Sequence, residues 1–291
     1  MWRQVETVLR NRLPQLEVYF TAGPWDAEAE ARRWGADHSR GLVVAVGGDG
    51  SVHEIANGLL SVGTRFRLGI LPAGTGNDIA RNLDMEPNPL KAAAEFDPEG
   101  SRWVDVGRVE LSAPSAPRRI RFFLNSLSLG VSARANRIAV RLRRFLPGTI
   151  RYPIAGLAAL LAERMQSWEV ATRDGILHSG PALNVTVANG PCFGGGLRVS
   201  PASNPIDGAL DLVVIGPIGR IRALLALSRL RAGTHIRMTG IRTTVLESMV
   251  RLRTAGPIGV ELDGENLESE RELVIEVLRG AIEVIGARVH L

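Results

Sequence analysis

The sequence predicts the α/β fold class, with a wound α/β domain followed by a β-rich, mostly antiparallel second domain. Three observations carry that prediction. Between residues 42 and 83 the order strand, glycine turn, helix occurs twice. Beyond Trp103, short apolar runs alternate with Gly, Pro, Asn and Asp. The charge balance also reverses: residues 1–110 hold 12 Lys+Arg against 16 Asp+Glu, and residues 111–291 hold 23 against 14. Repeated strand–helix units argue for a parallel sheet, and serial strands with turn residues for an antiparallel one.

Each element has its own warrant. Residues 2–13 space Val5, Val8, Leu9 and Arg12 as an amphipathic helix. Residues 17–20 read as a short strand and residues 26–34, rich in Ala and Glu, as a helix. Residues 42–46 are continuously apolar, as a buried parallel strand is. A helix over residues 53–60, a strand over 67–71, and a helix ending at Leu83 follow. In the second region, residues 122–129, 183–188, 210–215, 245–253, 258–262 and 273–278 read as strands. Residues 132–165 are helical with a break at Pro147-Gly148, and residues 221–231 form a further helix. Residues 112–117 read as a loop, and the domains are expected at 1–110 and 111–291.

The length of 291 residues suits two domains of about 150 residues each. The single cysteine, Cys192, excludes an intrachain disulfide and any multi-cysteine metal site. No apolar run reaches the roughly 18–20 residues of a membrane span, and the first twenty residues hold no apolar core of a secretory signal. A soluble, cytoplasmic protein is expected. Residues 111–162 contain nine Arg and no acid, and residues 212–246 contain six more Arg, again without acid. A solvated face accounts for such runs; so does an anionic partner, either lipid headgroups or nucleic acid.

Two turns carry chemistry. Gly47-Gly48-Asp49-Gly50-Ser51 ends a strand and opens a helix. Glycines let backbone N–H groups close on an anion, and the helix N-terminus adds positive charge. Asp49 inside such a loop could hold Mg²⁺ on the same phosphates, with Ser51 as a cap or phosphate donor. A plain strand-to-helix turn, with Asp49 satisfying local amides, fits the pattern equally. Pro72-Ala73-Gly74-Thr75-Gly76-Asn77-Asp78 has the same context, and Asn77 or Asp78 can serve as a helix cap. Parallel neighbouring strands would open both loops at one carboxyl edge of the sheet.

With these motifs the chain resembles the diacylglycerol kinase catalytic-domain family, the YegS-like bacterial lipid kinases related to diacylglycerol, phosphatidylglycerol and sphingosine kinases. The GGDG[T/S]-x-x-E element stands at Gly47 through Glu54, with Ser51 where Thr is usual, and the P-x-G-T-x-N-D element at Pro72 through Asp78. A glycine cluster follows as Asn189-Gly190-Pro191-Cys192-Phe193-Gly194-Gly195-Gly196, then Pro201 through Gly208, and Asp263-Gly264-Glu265 is the late D-G-E element. The resemblance implies a nucleotide-binding α/β domain, a β-rich lipid-substrate domain, and an active site in the cleft between them. ATP would be bound by Thr21, by Gly47, Gly48, Asp49, Gly50, Ser51, Val52, His53 and Glu54, and by Gly74, Thr75, Asn77 and Asp78. Glu265 would act as general base on a lipid hydroxyl and Asp49 would assist with Mg²⁺. A structural Mg²⁺ would take Asp207 with carbonyls at Asn204 and Ala209. An apolar strand and an N-P-x-[S/A]-G loop open the family pattern. This chain opens in the helix that follows them, so the first strand of its sheet is expected upstream.

The expected function is therefore ATP-dependent transfer of a γ-phosphoryl group to a lipid hydroxyl, in phospholipid metabolism. Its expected partners are ATP, a lipid and an anionic membrane surface met peripherally at the inner face, with no nucleic acid; a homodimer is compatible. The rivals are a kinase of the same superfold acting on a soluble substrate such as NAD or a sugar phosphate, and a non-catalytic lipid-binding regulator. From the residues alone, Glu265 after an Asp-Gly turn should sit at a loop tip, and a plain hairpin remains an alternative for it, as a plain turn does for Asp207. His38, His178, His235 and His290 have no metal-ligand spacing, and Cys192 reads as packing. Arg134, Arg137, Arg141 and Arg144 form one helical stripe beside Ile138, Leu142 and Phe145. That pattern suits a helix lying on an anionic bilayer, or an apolar stripe packed inward with solvated arginines.

Overall fold

The computed structural model describes all residues except 64–65, 114–115, 143, 147, 163–164, 270 and 287–291. The chain divides into two units, Met1–Val104 with Gly280–Leu291, and Asp105–Arg279. Residues 280–286 thus join the first unit.

In the first unit, α1 (Trp2–Arg12), α2 (Asp26–Asp37), β1 (Leu42–Gly47), α3 (Asp49–Ser61), β2 (Arg67–Pro72), α4 (Asp78–Asn82) and α5 (Pro89–Ala94) follow in order. β1 and β2 pair in parallel, from Leu42 opposite Arg67 to Gly47 opposite Pro72. Alternation along β1 sets the layers. Leu42, Val44 and Val46 pack with Val5 and Leu9 of α1 and with Ala92, Ala93 and Phe96 at α5. Val43 faces the other way, toward Ala31, Leu59 and Phe66 of the α2–α3 layer. A Cβ at Gly58 would lie 2.5 Å from the Glu28 carbonyl, so α2 and α3 approach as closely as backbones allow. The end of the last strand, β14 (Glu272–Ile285), pairs in parallel with β2 through Glu283, Val284 and Ile285. No strand forms at residues 17–20, where one was expected: the segment finds no neighbouring ladder.

The second unit holds the inner part of β3 (Ser101–Ala113), then β4 (Ala116–Phe123), β5 (Ser126–Gly130), α6 (Val131–Leu142) and α7 (Gly148–Ala162). β6 (Gln166–Thr172), β7 (Gly175–Ala182), β8 (Asn184–Ala188), β9 (Leu210–Ile215) and α8 (Arg220–Arg229) come next. β10 (Ile241–Leu246), β11 (Val250–Thr254), β12 (Ile258–Leu262) and β13 (Glu265–Ser269) precede β14. One sheet has the order β10-β9-β8-β5-β12-β13, antiparallel throughout. In the other, β11 pairs antiparallel with β14 and β6, and β6 with β7, while β3 pairs with β14 and β4. Their inner faces meet: Leu127, Val185, Leu212 and Leu262 pack with Val109, Trp168, Leu252 and Ile275. Each such buried side chain contributes about 1.5–3 kcal/mol, and this interleaved layer is the larger core. On the outer face of the first sheet, Val213 packs with Leu160 of α7 and with Ala223 and Ala226 of α8.

Three expected boundaries differ from the structure. Residues 122–129 are two strands, because the turn at Leu124-Asn125 donates its amides to a carboxylate rather than to a ladder. Residues 245–253 are also two strands, β10 pairing with β9 and β11 with β14 and β6, in different sheets. The expected loop at 112–117 is narrower, since β3 reaches Ala113 and β4 resumes at Ala116; residues 114–115 lie outside the described residues.

Candidate functional site

Because β1 and β2 are parallel and in register, both glycine turns leave the sheet at its carboxyl edge. Open α/β sheets bind ligands at that edge, where helix N-termini and backbone N–H groups converge. The Ala73 N–H donates to the Gly47 carbonyl at 2.8 Å. A Cβ on Gly74 would fall 2.3 Å from the Gly48 Cα, so the two turns touch backbone to backbone and no larger residue fits. Gly48 brings no side chain to cap α3, and an uncapped first turn suits an anion.

The polar side chains mostly tie these turns together. Asp49 Oδ1 accepts the Ile79 N–H at 2.8 Å, capping α4 from the neighbouring turn. Asn77, in the left-handed region at φ 52°, accepts the Gly74 N–H at 2.9 Å and donates to the Gly74 carbonyl at 3.0 Å. Asp78 is buried against Arg81, whose guanidinium also reaches the Gly76 carbonyl at 2.9 Å. Ser51 Oγ lies where a Gly47 side chain would be, 2.6 Å from its Cβ position. Gly74 and Thr75 are exposed at the tip, and Gly50 is partly so. Further along α3, Val52 and His53 are buried, and the Asn57 amide donates to the His53 carbonyl at 3.0 Å. Glu54 accepts the Ala27 N–H at 3.2 Å, at the start of α2. Thr21 is exposed in the segment before α2, where the Ala22 N–H donates to Asp26 at 2.6 Å.

In the second unit the two-residue turn Asp263-Gly264 joins β12 to β13, and Glu265 is not at the expected loop tip: it opens β13, paired with Leu262. Asp263 is buried with φ 48°, a conformation Asp tolerates better than most residues. Its carboxylate accepts three amides, from Leu124 at 2.8 Å and from Asn125 and Ser126 at 2.9 Å each. Gly264 donates to Glu261 Oε1 at 2.6 Å, and the Asn136 side chain of α6 donates to the Gly264 carbonyl at 2.5 Å. Glu265, held by this frame, is partly exposed. Burial pushes the Glu261 carboxyl up to about 8; the charges of Asp263 and Glu265 act in the same direction, against the hydrogen bonds from Gly264 and Ser128. Below it a polar file crosses the sheet: Ser128 Oγ lies 3.1 Å from Thr186 Oγ1, which accepts from Asn184 at 3.0 Å.

The turn predicted to hold a metal is exposed. The Asp207 N–H donates to the Asn204 carbonyl at 3.4 Å, and Asp207 Oδ1 accepts the Ala209 N–H at 3.0 Å. Asp105 supports the turn: its Oδ2 accepts the Gly208 N–H at 2.6 Å and its own N–H donates to the Pro205 carbonyl at 2.8 Å. Burial raises the Asp211 carboxyl above the usual carboxylate range, and the charge of Asp207 adds to this. One carboxylate and two carbonyls are a hard, all-oxygen donor set, which fits Mg²⁺ that keeps most of its waters. Among the described residues no group of three His, Cys, Asp or Glu side chains is placed to hold a metal.

Comparison with known proteins identifies the family of the chain. Residues 1–109 match the diacylglycerol kinase catalytic domain, and residues 125–286 match the YegS C-terminal NAD kinase beta sandwich-like domain. The chain belongs to the diacylglycerol kinase family of lipid kinases. It is similar to a diacylglycerol kinase of Mycobacterium tuberculosis (strain ATCC 25618 / H37Rv), 31% identical over 77% of this chain and 70% of the relative. It is also similar to the "Probable lipid kinase YegS" of Salmonella arizonae, 28% identical over 96% of this chain and 89% of that protein. The crystal structure of a diacylglycerol kinase from Bacillus anthracis str. Sterne shares the fold, with TM-score 0.71 and 22% identity over 97% of this chain and 89% of that one.

The structure brings Gly48, Asp49, Gly74 and Asn77 together in one pair of turns, and Asn204, Asp207 and Ala209 in another. His53 and Glu54 lie deeper in the α2–α3 layer. Sequence reasoning missed Asp105, Glu261 and the role of Asp263. An ionisable residue between Val260 and Leu262 in an apolar strand, on the face opposite theirs, was the signal for Glu261; nothing local marks Asp105.

Proposed function

We propose that this protein is an ATP-dependent lipid kinase, transferring the γ-phosphoryl group to a lipid hydroxyl such as that of diacylglycerol, phosphatidylglycerol or a sphingoid base. The observation carrying the reading is the backbone contact between Gly48 and Gly74 at the carboxyl edge of two parallel strands. Such paired turns present N–H groups to phosphates without side chains in the way. In this reading Gly47, Gly48, Gly50, Ser51, Gly74 and Thr75 hold the phosphates, and Thr21 borders the nucleotide. Asp49 fixes the relation of the two turns and is assigned to Mg²⁺, which when bound neutralises phosphate charge. Phosphoryl transfer passes through a loose transition state, so positioning and charge neutralisation carry most of the catalysis. Glu265 orients the lipid hydroxyl and accepts its proton. The family membership supports lipid rather than NAD or sugar phosphate as acceptor, and the acid-free basic stretches suit an anionic membrane as the place of work.

Labelled ATP, Mg²⁺ and a total lipid extract provide the test. A labelled lipid is the expected product. Label in a soluble acceptor would establish the soluble-substrate kinase, and no transfer to either would establish the non-catalytic regulator.

A further inference from the structure

Glu261 is a buried carboxyl that the lipid-kinase reading leaves without a task. Its neighbours on β12, Val260 and Leu262, enter the core. Glu261 therefore points to the opposite face of the sheet, against which α6 packs. Its Oε1 accepts the Gly264 N–H at 2.6 Å. Ser128 of β5, in register with it, bonds the carboxyl as well. Behind Ser128 the polar file runs through Thr186 to Asn184, which accepts the Ser132 N–H at 2.8 Å at the start of α6. One turn further along α6, Asn136 donates to the Gly264 carbonyl at 2.5 Å. Gly264 is thus held at both its N–H and its carbonyl, and that carbonyl belongs to the peptide that carries Glu265. Glu265 pairs with Leu262 and stands on the other face, so Glu261 acts on it through this peptide.

Asn266 gives an independent sign of a proton on Glu261. The two residues are opposite one another in the β12–β13 ladder, on the same side of the sheet, and Asn266 Oδ1 is buried with no hydrogen-bond partner. A carboxyl can serve a neighbouring acceptor only when it carries its proton. Burial acts the same way, pushing the Glu261 carboxyl up to about 8. The surrounding charges divide. Asp263 and Glu265 favour the proton. The arginine stripe expected on α6 stops with the helix at Leu142, short of Arg144. Within it, Arg137 lies over Gly259, two residues before Glu261 on the same face, with Arg134 one turn earlier. Both cations favour loss of the proton. β5 and β8 bring the uncharged Ser128, Thr186 and Asn184 and contain no ionisable residue.

We propose that Glu261 is a positioning residue for Glu265: while protonated it holds the Gly264–Glu265 peptide in place, and on losing its proton to solvent it releases that turn. A carboxylate in this enclosure would share it with a second unpaired acceptor, Asn266 Oδ1, and would need water. Asp263 is pinned by three amides, whereas Gly264 is exposed, so the turn gives way at Gly264. The inference deepens the lipid-kinase reading and rests on it for the role of Glu265, but its first measurement needs no turnover.

Carboxyl carbon-13 and amide NMR spectra recorded between pH 6 and pH 10 test it. One carboxyl signal, missing in Glu261→Gln, should titrate near pH 8. The Gly264 and Glu265 amide signals should shift with it in the parent and stay in place in Glu261→Gln, which keeps an acceptor for Gly264 and has nothing to ionise. Turnover is read separately, well below the melting temperature at each pH. In the parent, kcat should fall about tenfold from pH 7 to pH 9, as one group of that acidity dictates, with KM for ATP little changed. Glu261→Gln should lose this alkaline fall. Asn136→Ala, which frees the Gly264 carbonyl, should lower kcat, again with KM for ATP little changed. Absence of transfer in the parent would sink the kinase reading, and the spectra would still decide the proposal. Gly264 and Glu265 amides that ignore the titration, a Glu261 signal in the ordinary carboxylate range, or the parent's alkaline fall persisting in Glu261→Gln each overturn it. If Glu261→Gln does not fold, the parent's spectra and Asn136→Ala decide, and a parent-like kcat in Asn136→Ala then counts against it.

Discussion

Asp49 and Asp263 invite comparison, since each stands beside glycine in a turn at the end of a strand. Asp49 follows β1, stays partly exposed, and caps a neighbouring helix through the Ile79 N–H. Asp263 follows β12, is buried, and gathers three consecutive amides from the β4–β5 junction. The same side chain thus does two jobs. A buried carboxylate with three donors is a structural fixture, because every donor would otherwise lose its partner in a dry environment. A partly exposed one, such as Asp49, keeps part of its surface open to solvent. In the proposed reading the partly exposed Asp49 serves the nucleotide, and the buried Asp263 serves the fold.

The sharpest break in that comparison is Asp263→Ala. Three orphaned amides, at 1–3 kcal/mol each, should cost about 5 kcal/mol and unfold the second unit, seen as a loss of its cooperative thermal transition. A melting curve like the parent's would overturn the structural role. Glu265→Gln, two residues on, should leave the melt unchanged while lowering turnover roughly 10²–10⁴-fold, the range for loss of a general base. Steady-state rates of the purified variant decide this, and near-parent turnover removes Glu265 from the chemistry.

Glu261 sharpens the contrast through pH. Its carboxyl is pushed up to about 8 from 4.5 by burial. Between those values the folded protein keeps a proton that the unfolded chain releases, so stability should fall as pH rises through this window and level off above it. Glu261→Gln retains an acceptor for the Gly264 N–H and has nothing to ionise. It should therefore flatten the slope and gain roughly 3 kcal/mol at pH 7; denaturant titrations at pH 5, 7 and 9 would read it. A parallel pH dependence in both proteins would exclude Glu261 as its source. The smallest effect on the fold is expected from Asp49→Asn, which keeps an acceptor for Ile79. Stability should change by at most about 1 kcal/mol, while Mg²⁺-dependent ATP affinity, followed by calorimetry, falls. Unfolding would instead make Asp49 a second Asp263.

The sequence by itself determined the parts that depend on near neighbours. The strands at residues 42–46 and 210–215 were legible because uninterrupted apolar runs bounded by turn residues have few other uses. The glycine turns were legible because backbone approach to an anion, or to another turn, needs residues without side chains, at Gly48 and Gly74 above all. Long-range competition for hydrogen bonds was not legible. Residues 122–129 look like one strand until Asp263, more than a hundred positions away, takes the amides at their centre. Residues 17–20 have strand composition but no ladder to join. The end of β14 lies beyond the run that reads as a strand, and its parallel pairing with β2 brings the last described residues into the first unit. Residues 132–165 read as helical, but which face of α7 is covered was decided by tertiary packing. Ala155 and Ala159 went in together with Leu160, which packs on Val213 of the sheet, and Leu157 and Leu161 were left outside.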